Sequence, residues 1–182
     1  AVLNGHDVQL HFHPQWLSYK FISNQQWKLD QRYWRIPEVE FYHSDEWNLD
    51  KLFRKGIETL NEIFQSVKTE YKVKVFRAGA WSIQPEQKVI EAIRNNGIEF
   101  DSTVAPGISF DDGLTSFDFI EADSELPYWK SDVVITSSSV NGTVTEIPIS
   151  TIQMSLFRRL FFLFLKLFYG KDYDSQPQYG CY

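Results

Sequence analysis

Two histidines, His11 and His13, lie two residues apart in a segment whose apolar and polar residues alternate. In this segment Val8, Leu10 and Phe12 alternate with Gln9 and the two histidines, which is the period of a strand with one apolar face. Because side chains at i and i+2 point the same way, both imidazoles could reach one ion. Zinc accepts neutral imidazole, the commonest metal ligand. We therefore predict a divalent metal, zinc first, at His11 and His13; the alternative is two polar residues on a solvent-facing strand.

Two further stretches place polar side chains at the carboxyl ends of predicted strands, where the active-site residues of α/β folds lie. Arg77 ends a strand predicted over residues 73–77, and a small-residue turn and Trp81 follow it. An arginine there could hold a carboxylate through a bidentate pair, although it could also be an ordinary surface arginine. Asp101 ends the next predicted strand, over residues 98–101; its alternative role is to cap a turn or helix.

An alternation of strands and helices must position these residues. One helix is predicted to begin after an N-cap at Ser44 and to carry an apolar stripe from Leu49 to Val67. A second is opened by Pro85 and ended by Gly97. Further strands are predicted over residues 132–136 and 144–149, with a turn at Asn141-Gly142 between them. The pattern predicts an α/β fold with parallel strands, formed by residues 1–182 as a single domain.

The net charge and the aromatic content of the chain indicate which classes of partner it could bind. The 182 residues have a net charge of -6, which disfavours a nucleic-acid partner because phosphate binders show a basic patch or stripe. Aromatic residues make up 16%, and several fall in a long irregular excursion over residues 15–43. They could stack on sugar faces or anchor the core and loops: Trp16, Tyr19, Trp27, Tyr33 and Trp34. We take Trp16 and Trp81 as the candidates for substrate binding.

Residues 155–169 (SLFRRLFFLFLKLFY) are apolar almost all round, interrupted by Arg158, Arg159 and Lys166. The segment is shorter than the roughly 20 residues that a membrane span needs. It is predicted to be a buried or interface helix, or alternatively a helix on a membrane surface whose basic residues meet anionic lipid.

Four stretches resemble the NodB-type polysaccharide deacetylases, in the order and at the spacing found in that family. Residues 5–14 (GHDVQLHFHP) resemble its GHEIxxH…HP segment, and residues 76–81 (FRAGAW) resemble its FRxPY or FRAGxY turn. Residues 100–103 (FDST) are similar to the following DSS segment, and residues 146–149 (EIPI) resemble a late strand. The resemblance covers about residues 5 to 150.

This resemblance implies a distorted (β/α) barrel and a metal-dependent hydrolase that removes N-acetyl groups from a polysaccharide or glycan precursor. It implies zinc bound by His11 and His13, with Arg77 orienting a catalytic carboxylate. It also implies that the backbone near Trp81 helps to hold the oxyanion and that Asp101 supports the arginine or the metal shell. For location it implies the bacterial cytoplasm or cell envelope.

The sequence also departs from the family pattern. The family's two histidines are usually three residues apart, whereas Phe12 alone separates them here, and no histidine follows His43. The family's first motif, an aspartate pair, would precede Ala1, so we expect a piece of a longer polypeptide or a processed one. Asp111-Asp112-Gly113 looks like that motif but lies in the wrong order, and a surface turn is the simpler interpretation. The rival function is therefore a non-catalytic carbohydrate-binding or scaffold domain of the same fold.

Overall fold

The computed structural model describes residues 2–23, 26–29, 31–42, 47–123, 125–153, 155–169 and 179–181. Its helices are α1 (Ile36–Phe41), α2 (Leu49–Gln65), α3 (Gln87–Asn95) and α4 (Leu156–Tyr169). Its strands are β1 (Leu10–Phe12), β2 (Lys20–Ser23), β3 (Gln26–Lys28), β4 (Val75–Ala78), β5 (Phe100–Asp101), β6 (Ser109–Asp111), β7 (Ser116–Asp118), β8 (Trp129–Ser131), β9 (Val144–Glu146), β10 (Thr151–Gln153) and β11 (Tyr179–Cys181). Short 3-10 turns cover Val2–Asn4, Pro14–Ser18, Gln31–Tyr33 and Gly79–Trp81.

The fold is mixed α/β, built on a five-stranded sheet in the order β1-β4-β5-β9-β8. The first four strands are parallel and β8 pairs antiparallel with β9. Three two-stranded ribbons complete the strands: β2-β3, β6-β7 and β10-β11. The parallel strands and the α/β class agree with the prediction from the sequence.

One face of the sheet is buried under α2 and α3. Leu10, Phe76, Asp101 and Glu146 lie directly opposite one another across β1, β4, β5 and β9, and all four are buried. Leu10 packs so closely on α2 that a Cβ added at Gly56 would lie 2.7 Å from its Cδ1. The next row points the opposite way because strand side chains alternate, and it is this second face that carries the histidines.

Both predicted helices are present with shifted beginnings. The Asn48 side chain caps α2 by accepting a hydrogen bond from the Lys51 backbone at 2.9 Å, whereas Ser44, the predicted cap, lies outside the described residues. α3 begins two residues after Pro85, and Gly97 follows its end with φ +72°, as predicted for a glycine stop.

The strand predicted over residues 132–136 is wrong; the strand is β8, three residues earlier. Trp129 and Ser131 are the buried positions of β8. The Trp129 indole and the Ser131 hydroxyl both donate to the Ile135 carbonyl, at 2.8 and 3.2 Å, so the chain folds back after Ser131. Asp132 is then held outside by an ion pair with Arg94 at 2.7 Å.

The apolar segment is helical, as α4, but its described side chains are not buried. Leu156, Phe157, Leu160 and Phe161 are all more than half exposed, so the expectation of a buried helix is wrong for them. Within the described part of the chain, none of the helices combines the length and apolarity that crossing a bilayer requires.

Candidate metal and binding cleft

Strand register brings His11 and Arg77 side by side. His11 of β1 pairs directly with Arg77 of β4, and paired residues of neighbouring strands point to the same face. Both side chains are exposed and, with Trp81, Ser102 and Ile147, they line a cleft of about 560 Å³. The cleft therefore lies on the face of the sheet that α2 and α3 leave open.

The two imidazoles lie close together, as their spacing predicted. Their Nε2 atoms are 3.1 Å apart. The other nitrogen of His11, Nδ1, donates to the Arg77 carbonyl at 3.0 Å, which leaves the lone pair of Nε2 pointing toward His13. A backbone carbonyl that binds the far nitrogen of a histidine in this way is the usual support of a metal-ligating imidazole.

Gln15 supports His13 from behind. Its amide nitrogen lies 3.4 Å from His13 Nδ1, while its Oε1 is buried with no hydrogen-bond partner among the described residues. If the amide turns over, Oε1 can accept a hydrogen bond from His13 Nδ1–H, and the lone pair of His13 Nε2 then becomes available. The unpartnered oxygen thus fits a histidine that binds a cation through Nε2.

Burial lowers the pKa of His13 below its ordinary value, and the neighbouring His11 adds to the effect. A lowered pKa keeps the imidazole neutral at pH 7, which is the form that binds metals.

The histidine pair fits part of a zinc site. Two imidazole nitrogens bound to one tetrahedral zinc at about 2.0–2.1 Å stand about 3.4 Å apart, close to the observed 3.1 Å. The described residues contain no group of three or more His, Cys, Asp or Glu side chains that could hold a metal ion. Within the described residues, the geometry is therefore that of two candidate ligands, His11 and His13.

The turn after β4 packs against the histidines at very short range. A Cβ at Gly79 would lie 2.5 Å from the Phe12 carbonyl and 2.7 Å from the His13 ring, so only glycine fits. Ala80 and Trp81 follow with φ of 53° and 55°, a left-handed backbone that side chains disfavour. The Trp81 ring packs edge-on against Phe117 at 5.5 Å, which holds it at the rim of the cleft.

Arg77 is held by the segment that follows β5. Its Nε donates to the Ser102 carbonyl at 2.8 Å and its Nη2 donates to the Ser102 hydroxyl at 3.0 Å. Among the described residues, the hydrogen bonds to Ser102 use two of the five N–H donors of Arg77.

Asp101 lies on the opposite face of the sheet from this cleft. It is fully buried, and its side chain accepts hydrogen bonds from the backbone and hydroxyl of Thr103 at 3.1 and 2.9 Å. This is the turn-capping geometry considered as the alternative role. The proposed support of the arginine or the metal shell stays a prediction; burial raises the pKa of the Asp101 carboxyl, and the nearby Arg77 charge acts against that rise.

The remaining candidates lie away from the cleft lining. Trp16 is 69% exposed and stacks on Tyr19 with ring centroids 5.0 Å apart. Asp111 and Asp112 form the turn between β6 and β7, where they accept backbone hydrogen bonds from Gly113, Leu114 and Thr115, so the surface-turn interpretation describes them.

Sequence reasoning did not single out Gln15, and it named Glu146 without predicting that its side chain lies on the buried face. The signal for Glu146 was a lone carboxylate in an apolar strand that pairs with the Asp101 strand. No pattern in the sequence marks Gln15, because its role depends on how the 3-10 turn over Pro14–Ser18 folds back.

Comparison with known proteins returns no match: no family model fits the chain, and neither do curated proteins or solved structures. The functional conclusion therefore depends on the sequence motifs and on the geometry of the cleft.

Proposed function

We propose that this chain is a metal-dependent hydrolase of the NodB type, which removes N-acetyl groups from a polysaccharide or glycan precursor. The observation that carries the proposal is the pair of Nε2 atoms 3.1 Å apart beside Arg77 at an open cleft. The order of the four family-like stretches supports it.

The strand order supports the finer proposal of a distorted (β/α) barrel. The four parallel strands follow one another across the sheet in chain order, and right-handed crossovers that advance in one direction place their helices on one face. α2 and α3 fulfil this for the first two crossovers. A barrel has its helices outside and its site at the strand ends, where His13 and Trp81 lie here.

Each residue of the cleft has a role in this proposal. His11 and His13 would hold zinc, which when bound polarises an amide carbonyl and favours deprotonation of water. Arg77, fixed by Ser102, would bind and orient a carboxylate. Trp81 would place an apolar ring against the sugar, and the backbone beside it would donate to the developing oxyanion.

A general base is required in addition. Amide hydrolysis needs a group that removes a proton from water, and the residues described as lining the cleft include no carboxylate. Asp101 and Glu146, the nearest candidates on the strands, lie on the buried face. The described residues of the cleft therefore leave the general base of the proposed reaction unassigned.

Because the residues described as lining the cleft include no carboxylate that could act as the base, a second candidate function is also supported. It is a carbohydrate-binding or scaffold domain with the same fold and no catalytic activity. The exposed Trp16 ring, stacked on half-buried Tyr19, gives such a domain a platform for a sugar ring. The Trp16→Ala variant is predicted to weaken sugar binding in this case.

Acetate release from an N-acetylated chito-oligosaccharide, measured with and without added zinc, separates the two. A hydrolase releases acetate only with zinc, and His11→Ala abolishes the release while sugar binding persists. Binding of the oligosaccharide without acetate release at any zinc concentration would contradict the hydrolase and favour the binding domain. Arg77→Lys is the matched variant, because it keeps the charge and loses the bidentate fork.

A further inference from the structure

Two carboxyl groups, from Asp101 and Glu146, lie side by side in the core. They occupy directly paired positions of β5 and β9, and both are 0% exposed. Two buried negative charges at such a position would repel each other strongly and lose their hydration, so that both cannot be ionised at a tolerable cost.

The surrounding hydrogen-bond donors reach both carboxyl oxygens of Asp101 but only one carboxyl oxygen of Glu146. Both oxygens of Asp101 accept a hydrogen bond, Oδ1 from the Thr103 hydroxyl and Oδ2 from the Thr103 backbone. Oε1 of Glu146 accepts from the Val104 backbone at 2.9 Å, whereas its Oε2 is buried without a donor among the described residues. A carboxylate oxygen in that position is costly, but a protonated oxygen is itself a donor.

We propose that Asp101 and Glu146 share one proton, carried on Oε2 of Glu146 and donated to Asp101, and that this pair positions the segment which holds Arg77. The inference concerns the fold around the cleft and holds whether or not the cleft hydrolyses amides.

The electrostatic surroundings agree with this assignment. Burial, and then the charge of Asp101, raises the pKa of Glu146 well above its ordinary value of 4.5. Burial also raises the pKa of Asp101, while the hydrogen bonds from Glu146 and Thr103 and the charge of Arg77 act against that rise. Asp101 is therefore the member of the pair that is better supported as the anion.

The described elements packed against the pair present mostly apolar side chains to it. β8 places Trp129 opposite Glu146, and α3 turns apolar side chains inward: Val89, Ile90 and Ile93. Glu86, beside α3, is buried too, and its Oε1 accepts from the Ile135 backbone at 3.1 Å. The cation Arg77 acts on Asp101 through its charge.

The pair controls the position of the segment after β5. It accepts the backbone hydrogen bonds of Thr103 and Val104, and the Thr103 hydroxyl in turn accepts from the Ala78 backbone at 2.9 Å. Ser102, which holds Arg77, lies between these fixed points. Asp101 and Glu146 are thus positioning residues for Arg77.

The pH dependence follows from the direction of the pKa change. A carboxyl whose pKa is raised on folding binds its proton more tightly in the folded state. Its contribution to stability is therefore fully present below the ordinary pKa of about 4.5. That contribution is lost as the pH rises through the folded-state pKa. The full chain should therefore lose thermal stability as pH rises through that window, and Glu146→Gln should remove this part of the loss.

The test compares Glu146→Gln with Asp101→Asn in the full chain. Glutamine imitates the protonated acid, since its amide donates to Asp101 and its oxygen accepts from Val104, so Glu146→Gln should leave Tm at pH 5 nearly unchanged. Asparagine must place its amide against the Thr103 backbone N–H or hydroxyl, so Asp101→Asn should lower Tm by about 2–12 °C. Hydrogen exchange of the Thr103 and Val104 amides should stay slow in the first variant and become fast in the second.

If a variant fails to fold, infrared spectroscopy of the unmodified protein still tests whether the pair carries a proton. At pH 5 the folded wild type should show a carbonyl stretch of a protonated carboxylic acid, which disappears at higher pH and is absent from Glu146→Gln. The reverse order of tolerance of the two variants, or a wild-type spectrum without the protonated carbonyl at pH 5, would overturn the assignment.

Discussion

The smallest unit of the site is a chain of hydrogen bonds that begins at one backbone carbonyl. His11 Nδ1 donates to the Arg77 carbonyl, His11 and His13 meet at Nε2, and Gln15 stands behind His13. The period-two pattern predicted that both imidazoles share a face, because alternation along a strand is a purely local property. It could not predict Gln15, whose position depends on the fold of the following turn.

Gln15 provides the first prediction at this scale. Gln15→Leu should raise the dissociation constant for zinc by about 10–100-fold, the usual effect of losing the group that orients a ligating histidine. Gln15→Glu is the matched control, because it keeps an oxygen that accepts from His13 Nδ1–H. Zinc titration of the three proteins measures the difference, and equal affinities for the leucine variant and the wild type would contradict the role assigned to Gln15.

At the scale of elements, local patterns predicted where regular structure occurs better than where it begins and ends. The apolar stripe of α2 and the glycine after α3 are local signals, and both helices are present. The strand at residues 132–136 was misplaced because the apolar run Val133-Val134-Ile135 resembles a buried strand. In the fold that run is a turn, held by hydrogen bonds from Trp129 and Ser131 that no local pattern reveals.

The turn after β4 carries a prediction about packing. Gly79→Ala should lower the free energy of unfolding by about 1–3 kcal/mol and weaken zinc binding, because the added Cβ displaces the Phe12 carbonyl or the His13 ring. The neighbouring change Ala80→Gly is the control: it relieves a left-handed alanine that costs about 1–2 kcal/mol, so stability should hold or rise. Denaturant unfolding measures both, and a tolerated Gly79→Ala would refute the close contact.

The helix α4 carries a prediction about lipid. Its 14 residues extend about 21 Å, less than a bilayer core of about 30 Å, and its exposed apolar side chains are accompanied by three basic residues and no acidic one. We propose that it lies on anionic membrane surfaces. The protein should float with phosphatidylglycerol vesicles and not with phosphatidylcholine vesicles.

Charge reversal tests the lipid proposal directly. Each basic residue near an anionic surface contributes about 1 kcal/mol, so reversing Arg158 and Arg159 should weaken vesicle binding by at least about 30-fold. Reversing Lys51 and Lys55, basic residues of α2, is the control and should leave flotation unchanged. Equal flotation of the wild type and the Arg158/Arg159 variant would contradict the proposal.

At the scale of the whole molecule, the four parallel strands lie across the sheet in the same order as in the chain. The four family-like stretches lie on β1, β4, β5, β9 and their ends, and these strands are neighbours in the sheet. That is why residues far apart in sequence, such as His11, Arg77 and Ser102, meet at one cleft. The sequence predicted the parallel strands, but not that Asp101 and Glu146 face away from the cleft, since which face a side chain takes follows from the register between strands.

The central claim is that His11 and His13 form a metal site, and metal content tests it most directly. The full chain is purified, incubated with zinc, dialysed and measured by elemental analysis beside the double variant His11→Ala, His13→Ala. The claim predicts close to one zinc per chain in the wild type and its loss in the double variant. Zinc absent from both proteins, or retained equally by both, would contradict it.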